Sequence, residues 1–509
     1  VTRSLHHVRD LAETKVRTYL ALNRFGLGAR PGEPAPADPE RWLIAQIDAF
    51  EPTPPVMANL PSRAELTQAM IGYLEVVRGA RQVRRDTPTD GLPSPGMRDN
   101  PEVAAALAER RDGRRSLREH YVDAVHARTL AALQSATPFM ERWVHFWSNH
   151  FAISVDKIVT VAMAGDYEFQ AIRPHVTGRF ADLLRAAVRH PAMLLYLDQA
   201  QSVGPASPAA RMINARRARN GGTGNNGQAR QLGLNENLAR EILELHTLGV
   251  RSGYTQADVT AFAEAMTGIT IAGIARGPAQ RLMPAGAADG DTVFVEALHQ
   301  PGTRIVLGRR YEQRGAAQAD AILADLAVHP ATARHIATKV ARHFVADDPP
   351  ASLITRLEAD FVRTGGDLSS LARTLIRSPE SWVSGTLKFK SPCEWLISSM
   401  RGLGIDSLPD RRAAIGLFEQ LGQPVWRPGA PAGYADTMAT WAGPQALADR
   451  VDIAERLAGR MAAGRDARAL APTILADALT PSVATAIARA DSPAQGLALM
   501  LVAPAFLRR

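Results

Sequence analysis

The sequence predicts a mainly α protein, a large helical body with one small β-hairpin near residues 292–307. Three observations carry that expectation. Apolar residues recur at three- and four-residue spacing along most of the 509 positions. Capping residues, first-turn prolines and stop glycines punctuate those runs. Alternation of apolar and polar residues, the mark of a half-buried strand, is convincing in one place only.

The helical runs follow one another from the start. Val16, Tyr19, Leu20 and Leu22 open an amphipathic segment that ends at Arg24-Phe-Gly-Leu-Gly28. A second begins near Pro39 and carries Trp42, Leu43, Ile47 and Phe50. Ala64 to Arg81 and Arg114 to Ser135 read as further helices, with a Pro-, Gly-, Asp- and Arg-rich mobile insertion between them near 84–113. Phe139 to Phe151 is a short aromatic helix, and Tyr167 to Val188 and Ala192 to Leu197 continue the pattern. A second insertion, near 201–232, contains Asn220-Gly-Gly-Thr-Gly-Asn-Asn-Gly227. Glu236 to Leu248 is a helix stopped by Gly249, and Thr255-Gln-Ala-Asp258 is a capping box that opens the next. Thr292 to Leu298 alternates, Pro301-Gly302 turns, and Arg304 to Leu307 returns as the second strand of the hairpin. From Gln318 the chain is helical to its end, apart from a Pro/Gly-rich break at Gln423 to Gly443. The resulting division is an N-terminal helical lobe (1–280), a hairpin connection (281–310) and a C-terminal helical lobe (311–509), as two lobes or one continuous domain.

Composition narrows the function classes. With 46% hydrophobic and 22% charged residues the chain is neither disordered throughout nor fibrous. Its single cysteine, Cys393, excludes an internal disulfide and any Cys-rich zinc or iron–sulfur site. No run of 18 apolar residues is present, so no membrane span is expected. The net charge of +8 comes almost wholly from arginine. Five arginines lie between Arg211 and Arg230, but without an aromatic residue among them, and no nucleic-acid reading module accompanies them. That stretch reads as a solvated loop or an anion-binding arm. Val1 to His7 lacks the apolar core of a secretory signal, which points to the cytoplasm for the chain as written and to the periplasm if residues precede Val1. No P-loop, HExxH, GxSxG or EF-hand pattern occurs.

Four polar runs can carry chemistry. In Asn235 to Gly249, Asn237, Glu241 and Glu244 share a helical face, and Glu236, Arg240 and Glu244 are spaced by four. These are either surface ion pairs or carboxylates able to bind a divalent cation or move a proton. In Trp143 to Phe151, the stripe Phe139, Trp143, Phe146, Trp147 and His150 is either core or a presentation of His150 as base or ligand, with His145 and Asn149 on the opposite side. His299 stands at the hairpin turn, where a cavity can receive it. Asp198 ends a helix and, if buried, requires a basic partner such as Arg211 or Arg240.

These runs, with Leu22 to Gly28, Pro191 to Asp198, Gly253 to Val259, Val306 to Gly308, His329 to Arg334 and Lys388 to Pro392, give the chain a nearly full-length resemblance to the bacterial domain-of-unknown-function family numbered 1800. The resemblance implies that Asn149, His150, Asp198, Asn235, Glu236, Asn237, Arg240, Glu241 and Glu244 stand at the family's polar positions. Gln300 replaces the acid that follows the family's turn histidine, and Tyr434 replaces the tryptophan of its Gly-Trp pair. It also implies export in many members and a sulfatase-like partner of the family numbered 1501.

Two functions are therefore expected. One is a metal-assisted hydrolase or oxidoreductase, with His150, Glu241 and His299 catalytic and Asp198, Glu236, Glu241 and Glu244 around Mg, Mn, Fe or Zn. Asn149, Asn237 and Arg240 would then be structural or anion-binding. The other is a non-catalytic structural or partner-binding protein, whose polar cluster is a buried ion-pair network.

Overall fold

The computed structural model describes residues 15–86, 101–219, 233–274, 282–385 and 388–509. The chain is mainly α-helical with two small two-stranded antiparallel sheets among these residues. Residues 15–20 are helical and run into a π turn at Ala21–Phe25. Helix α1 (Arg63–Asp86) packs along α2 (Pro101–Gln134). The insertion expected near 84–113 is thus helical at both ends, and residues 87–100 lie outside the described residues. Ala, Glu and Arg in the first turns of α2 are strong helix formers and outweigh the roughly 1 kcal/mol cost of Gly113. A Cβ there would sit 3.3 Å from Tyr73, so the glycine also lets the two helices approach.

Helix α3 (Pro138–His150) is buried along most of its length. Pro138 opens it, where a missing N–H costs nothing. Phe139, Trp143, Phe146 and Trp147 form the expected stripe and are buried. Phe139, Trp143 and Phe146 meet Phe344 from the second half of the chain, with Trp143 and Phe344 ring centres 5.7 Å apart. Each such ring contributes roughly 2–3 kcal/mol by leaving water. The opposite side of α3 is polar yet also enclosed: Glu141 and Arg142 are 3% and 1% exposed. Arg173 holds Glu141 through two 2.8 Å bonds.

Helix α4 (Phe180–Arg189) follows a second π turn, Tyr167–Ile172. The Arg211 to Arg219 part of the arginine-rich stretch is helical, within Pro208–Arg219, and the Asn220–Gly227 run lies outside the described residues. The expected helix over 236–248 divides into Asn237–Glu241 and a third π turn, Ile242–Thr247. Helix α5 (Gln256–Met266) carries the capping box of Thr255 and Asp258.

The hairpin is present but paired differently. β1 (Ile269–Ile271) pairs with β2 (Thr292–Phe294), and β3 (Arg304–Val306) with β4 (Arg309–Tyr311). Residues 292–294 and 304–306 are therefore strands but not each other's partners. Leu307 and Gly308, at φ +50° and +75°, supply the two positive-φ positions that a two-residue hairpin turn requires. Between β2 and β3 the chain turns through a 3-10 segment, Glu296–Leu298, and Pro301 has no N–H for a ladder.

In the second half, α6 (Pro330–Phe344) starts at His329, whose ring accepts from Ala331 N. Its stripe Ala333, Ile336, Ala337, Val340 and Phe344 is buried. Helix α7 (Leu368–Arg377) is strongly amphipathic, and α8 (Pro392–Gly402) is opened by a capping box of Ser391 and Glu394. Helices α9 (Ala413–Gln420) and α10 (Pro444–Met461) flank the Pro/Gly-rich segment. Buried residues from Ala21 to Phe506 belong to one contiguous apolar cluster that both halves share. No described helix is long and apolar enough to cross a membrane.

Candidate functional site

Where α3, α6, the start of α8 and the 423–436 segment converge, they enclose a cavity of about 100 Å³. The polar side of α3 faces it through Arg142, His145, Ser148 and Asn149, spaced i, i+3, i+6 and i+7. Helix α6 ends on it with His343. The 423–436 segment closes it with Trp426, Tyr434 and Asp436.

His343 and Asp436 form a dyad, with Nδ1 2.7 Å from Oδ2. Lys388 Nζ lies 3.0 Å from the other Asp436 oxygen. Burial opposes ionisation of Asp436, but His343, Lys388 and Arg509 hold its carboxyl far below the ordinary range. Burial pushes the His343 pKa below 6.5, Asp436 opposes that shift, and Arg142 and Arg509 add to it. The consistent state at neutral pH is a neutral imidazole that donates Nδ1–H to an ionised Asp436. Its Nε2 is then an acceptor, approached by Arg142 Nε at 3.4 Å.

Two carboxylates hold the surrounding arginines. Glu394 pairs with Arg142, and Arg509 reaches its two oxygens from Nε and NH2 at 3.0 Å each. Burial would raise the Glu394 pKa, but the two guanidinium groups bring it down to about 2. Its position in the first turn of α8 places it where a helix favours negative charge. Glu168, buried on the second π turn, accepts from Arg128 Nε at 2.9 Å, Ser148 Oγ at 2.6 Å and Trp426 Nε1 at 2.7 Å. Asn149 clamps the segment in both directions, accepting from Tyr434 N at 2.7 Å and donating to Tyr434 O at 2.9 Å.

One cavity group is left over. His145 Nε2 is buried and has no hydrogen-bond partner among the described residues. Burial and the neighbouring Arg128, Arg173 and Arg142 hold His145 well below its ordinary pKa, so it is neutral. Cys393 also lines the cavity, but burial raises its pKa and keeps it a thiol.

Of the residues singled out from the sequence, Asn149 lines this cavity, whereas His150, Asp198, Glu236, Glu241, Glu244 and His299 do not. His150 is 1% exposed among Phe146, Trp147, Phe151 and Phe180, and its Nε2 lies 3.1 Å from the carbonyl of His246. His246 is fully buried, and His335 approaches His150 with ring centres 6.2 Å apart. His299 is buried beside Phe294, with Nδ1 2.9 Å from Thr267 O.

The acidic residues occupy a different region. Asp198, at φ +59°, pairs with Lys157 at 2.8 Å; this lysine stands in the place considered for Arg211 or Arg240. Glu236 accepts from Arg240, Gln256 and Thr260. Glu244 accepts from Tyr254 OH at 2.8 Å. Glu241 is half-buried, and burial and the adjacent Glu244 raise its pKa. Asn237 is exposed, its N–H donating to Asn235 Oδ1. Among the described residues no group of three or more His, Cys, Asp or Glu side chains is arranged to hold a metal ion. Of the donor set expected around a divalent cation, Asp198, Glu236 and Glu244 are engaged with protein partners.

From the sequence, His145 was placed only on the side of α3 opposite the stripe, and Arg142, His343, Glu394 and Asp436 were not singled out. The spacing of Arg142, His145 and Asn149 on the face opposite the aromatic stripe was a legible signal. His343 and Asp436 left none, because nothing local marks a histidine at a helix end or an aspartate in a Pro/Gly-rich break.

A family model described as "Protein of unknown function (DUF1800)" matches residues 20–508. No curated protein and no solved structure matches the chain.

Proposed function

The chain belongs to the DUF1800 family, and we propose that it is a hydrolase whose acid–base group is His343. The observation that carries this reading is the His343–Asp436 dyad lining a cavity together with a second neutral histidine, His145, whose Nε2 has no partner among the described residues. Asp436 fixes the tautomer and orientation of the imidazole, which leaves Nε2 to take a proton from a water or a substrate hydroxyl. The long contact from Arg142 is the one this step displaces. The imidazolium so formed is stabilised by Asp436, as in other base–orienter pairs. Arg142 and Arg128, each held by a carboxylate, give the wall fixed positive charge for an oxygen that becomes negative.

Water is the nucleophile in this reading. The Ser148 hydroxyl donates to Glu168, and the Cys393 thiol is not ionised. No step is routed through a divalent cation: among the described residues no group of three or more His, Cys, Asp or Glu side chains is arranged to hold one.

A second reading is favoured by one observation. Arg142, Arg509 and Lys388 all have carboxylate partners at the cavity. The same residues then serve as a buried ion-pair network that locks the two halves together.

Turnover separates the two readings. The purified chain is assayed on p-nitrophenyl acetate, phosphate and sulfate and on a p-nitroanilide, alongside His343→Gln. Hydrolysis of at least one, reduced roughly 10²–10⁴-fold in the variant with the melting temperature nearly unchanged, supports the acid–base role. No turnover above buffer, or an equal rate in the variant, leaves the network reading in its place.

A further inference from the structure

On the outer surface of α2 lies a groove of about 620 Å³, within the range of small-ligand sites. Its floor is aliphatic: Val122, Val155, Ile158, Val161 and Ile415. Its rim carries four arginines. Two of them are neutralised within the protein. Arg412 pairs with Glu119, and Arg427 pairs with Asp156 at 3.1 Å and Glu419 at 3.2 Å. Those pairings also consume Asp156 and Glu419, the acidic groups of the groove lining.

The other two, Arg114 and Arg118, are exposed, and no ion pair or hydrogen bond joins either to another described residue. They stand one helical turn apart on α2, a spacing at which like charges repel and a single anion can engage both. Guanidinium forks match the oxygens of a carboxylate, sulfate or phosphate. The groove therefore offers two unneutralised guanidinium groups at one end of an aliphatic trough.

We propose that this groove binds a single-chain anionic amphiphile, with the acidic head on Arg114 and Arg118 and the hydrocarbon chain along the Val122–Ile158–Ile415 floor. An extended peptide is the less suitable occupant. The lining includes no strand edge to pair with a peptide backbone, whereas a hydrocarbon chain asks for no backbone partner. The site is separate from the cavity and does not rest on the hydrolase reading. The two are neighbours all the same: Pro424, Val425, Trp426 and Pro428 line the cavity, while Arg427, between them, lines the groove.

The test uses the full chain and 11-(dansylamino)undecanoic acid as a fluorescent probe. Saturable binding is expected, with displacement by dodecanoate and dodecyl sulfate but not by dodecanol or acetate at equal concentration. The double variant Arg114→Ala/Arg118→Ala should bind at least ten-fold more weakly with an unchanged melting temperature, since both side chains are exposed. Ile415→Gln should weaken binding independently and so place the probe in the groove. Raising NaCl to 0.5 M should weaken the wild type more than the double variant. The proposal is overturned by absence of saturable binding, by wild-type affinity in the double variant or in Ile415→Gln, or by dodecanol competing as well as dodecanoate. Binding seen only to phosphatidylglycerol vesicles, and not to the free probe, would assign the arginines to a membrane surface and overturn it too.

Discussion

His343 and Asp436 are separated by 93 positions in the chain, yet their side chains meet at 2.7 Å. One comes from the last turn of α6 and the other from a segment without regular structure. Removing the carboxylate while keeping its shape, in Asp436→Asn, should lower the pKa of His343 further, because Asp436 is the group that favours its protonated form. A ¹H–¹³C NMR titration should show the His343 resonance moving to lower pH. If the protein is a hydrolase, turnover should fall roughly 10²–10⁴-fold with it. An unshifted titration would mean that the contact does not exist in solution.

Glu394 sits between two buried guanidinium groups and also closes the capping box of α8. Glu394→Gln leaves Arg142 and Arg509 without their negative partner. The expected loss is about 3–5 kcal/mol, read from urea denaturation. Arg142→Gln combined with it should cost less than the sum of the two single changes, because they share one interaction.

Acid should unfold this protein through its buried histidines. Burial, followed by the nearby Lys339, brings the pKa of His246 down to about 3 and that of His335 to about 4. A folded-state pKa below the unfolded value of about 6.5 means that the unfolded chain binds protons first. Stability is then full above pH 6.5 and is lost as pH falls toward 4 and 3. The slope is about 1.4 kcal/mol per pH unit for each histidine in that window. Denaturation midpoints from pH 7 to pH 4 should show it, and His246→Phe should flatten the curve.

Gly433 has φ +80°, and a Cβ there would lie 2.3 Å from the backbone oxygen of Asn149. Both facts demand glycine: one for the backbone and one for the clamp that Asn149 places on Tyr434. Gly433→Ala should cost about 1–3 kcal/mol and loosen the 423–436 segment. Thermal melts and limited proteolysis read the two effects, with cleavage expected within that segment. An unaltered melting temperature would mean that the clamp does not constrain the segment.

Much of the architecture was legible because it rests on local rules. The aromatic stripe of α3, the box of Thr255 and Asp258 and the strand character of residues 292–294 and 304–306 each follow from spacing or capping. The strand partners were not legible. Both 292–294 and 269–271 are short, and which edge a three-residue strand joins depends on the packing around it. The site was legible in one part only. Arg142, His145 and Asn149 lie on one readable face, but a helical wheel cannot say whether a polar face meets solvent or a cavity. Here the 423–436 segment covers it, and that segment has no periodicity to read.

From residue order alone came the helical class, the positions of most helices and the family likeness, since all three depend on neighbours three or four positions apart or on runs of identity. The tertiary structure decided which ionisable groups share a low-dielectric space. His150 and His246 went to the aromatic core, Glu236 and Glu244 paired with adjacent polar groups, and His343 met Asp436. Burial and charge pairing act through space, and it is they that set the protonation state on which any acid–base chemistry here depends.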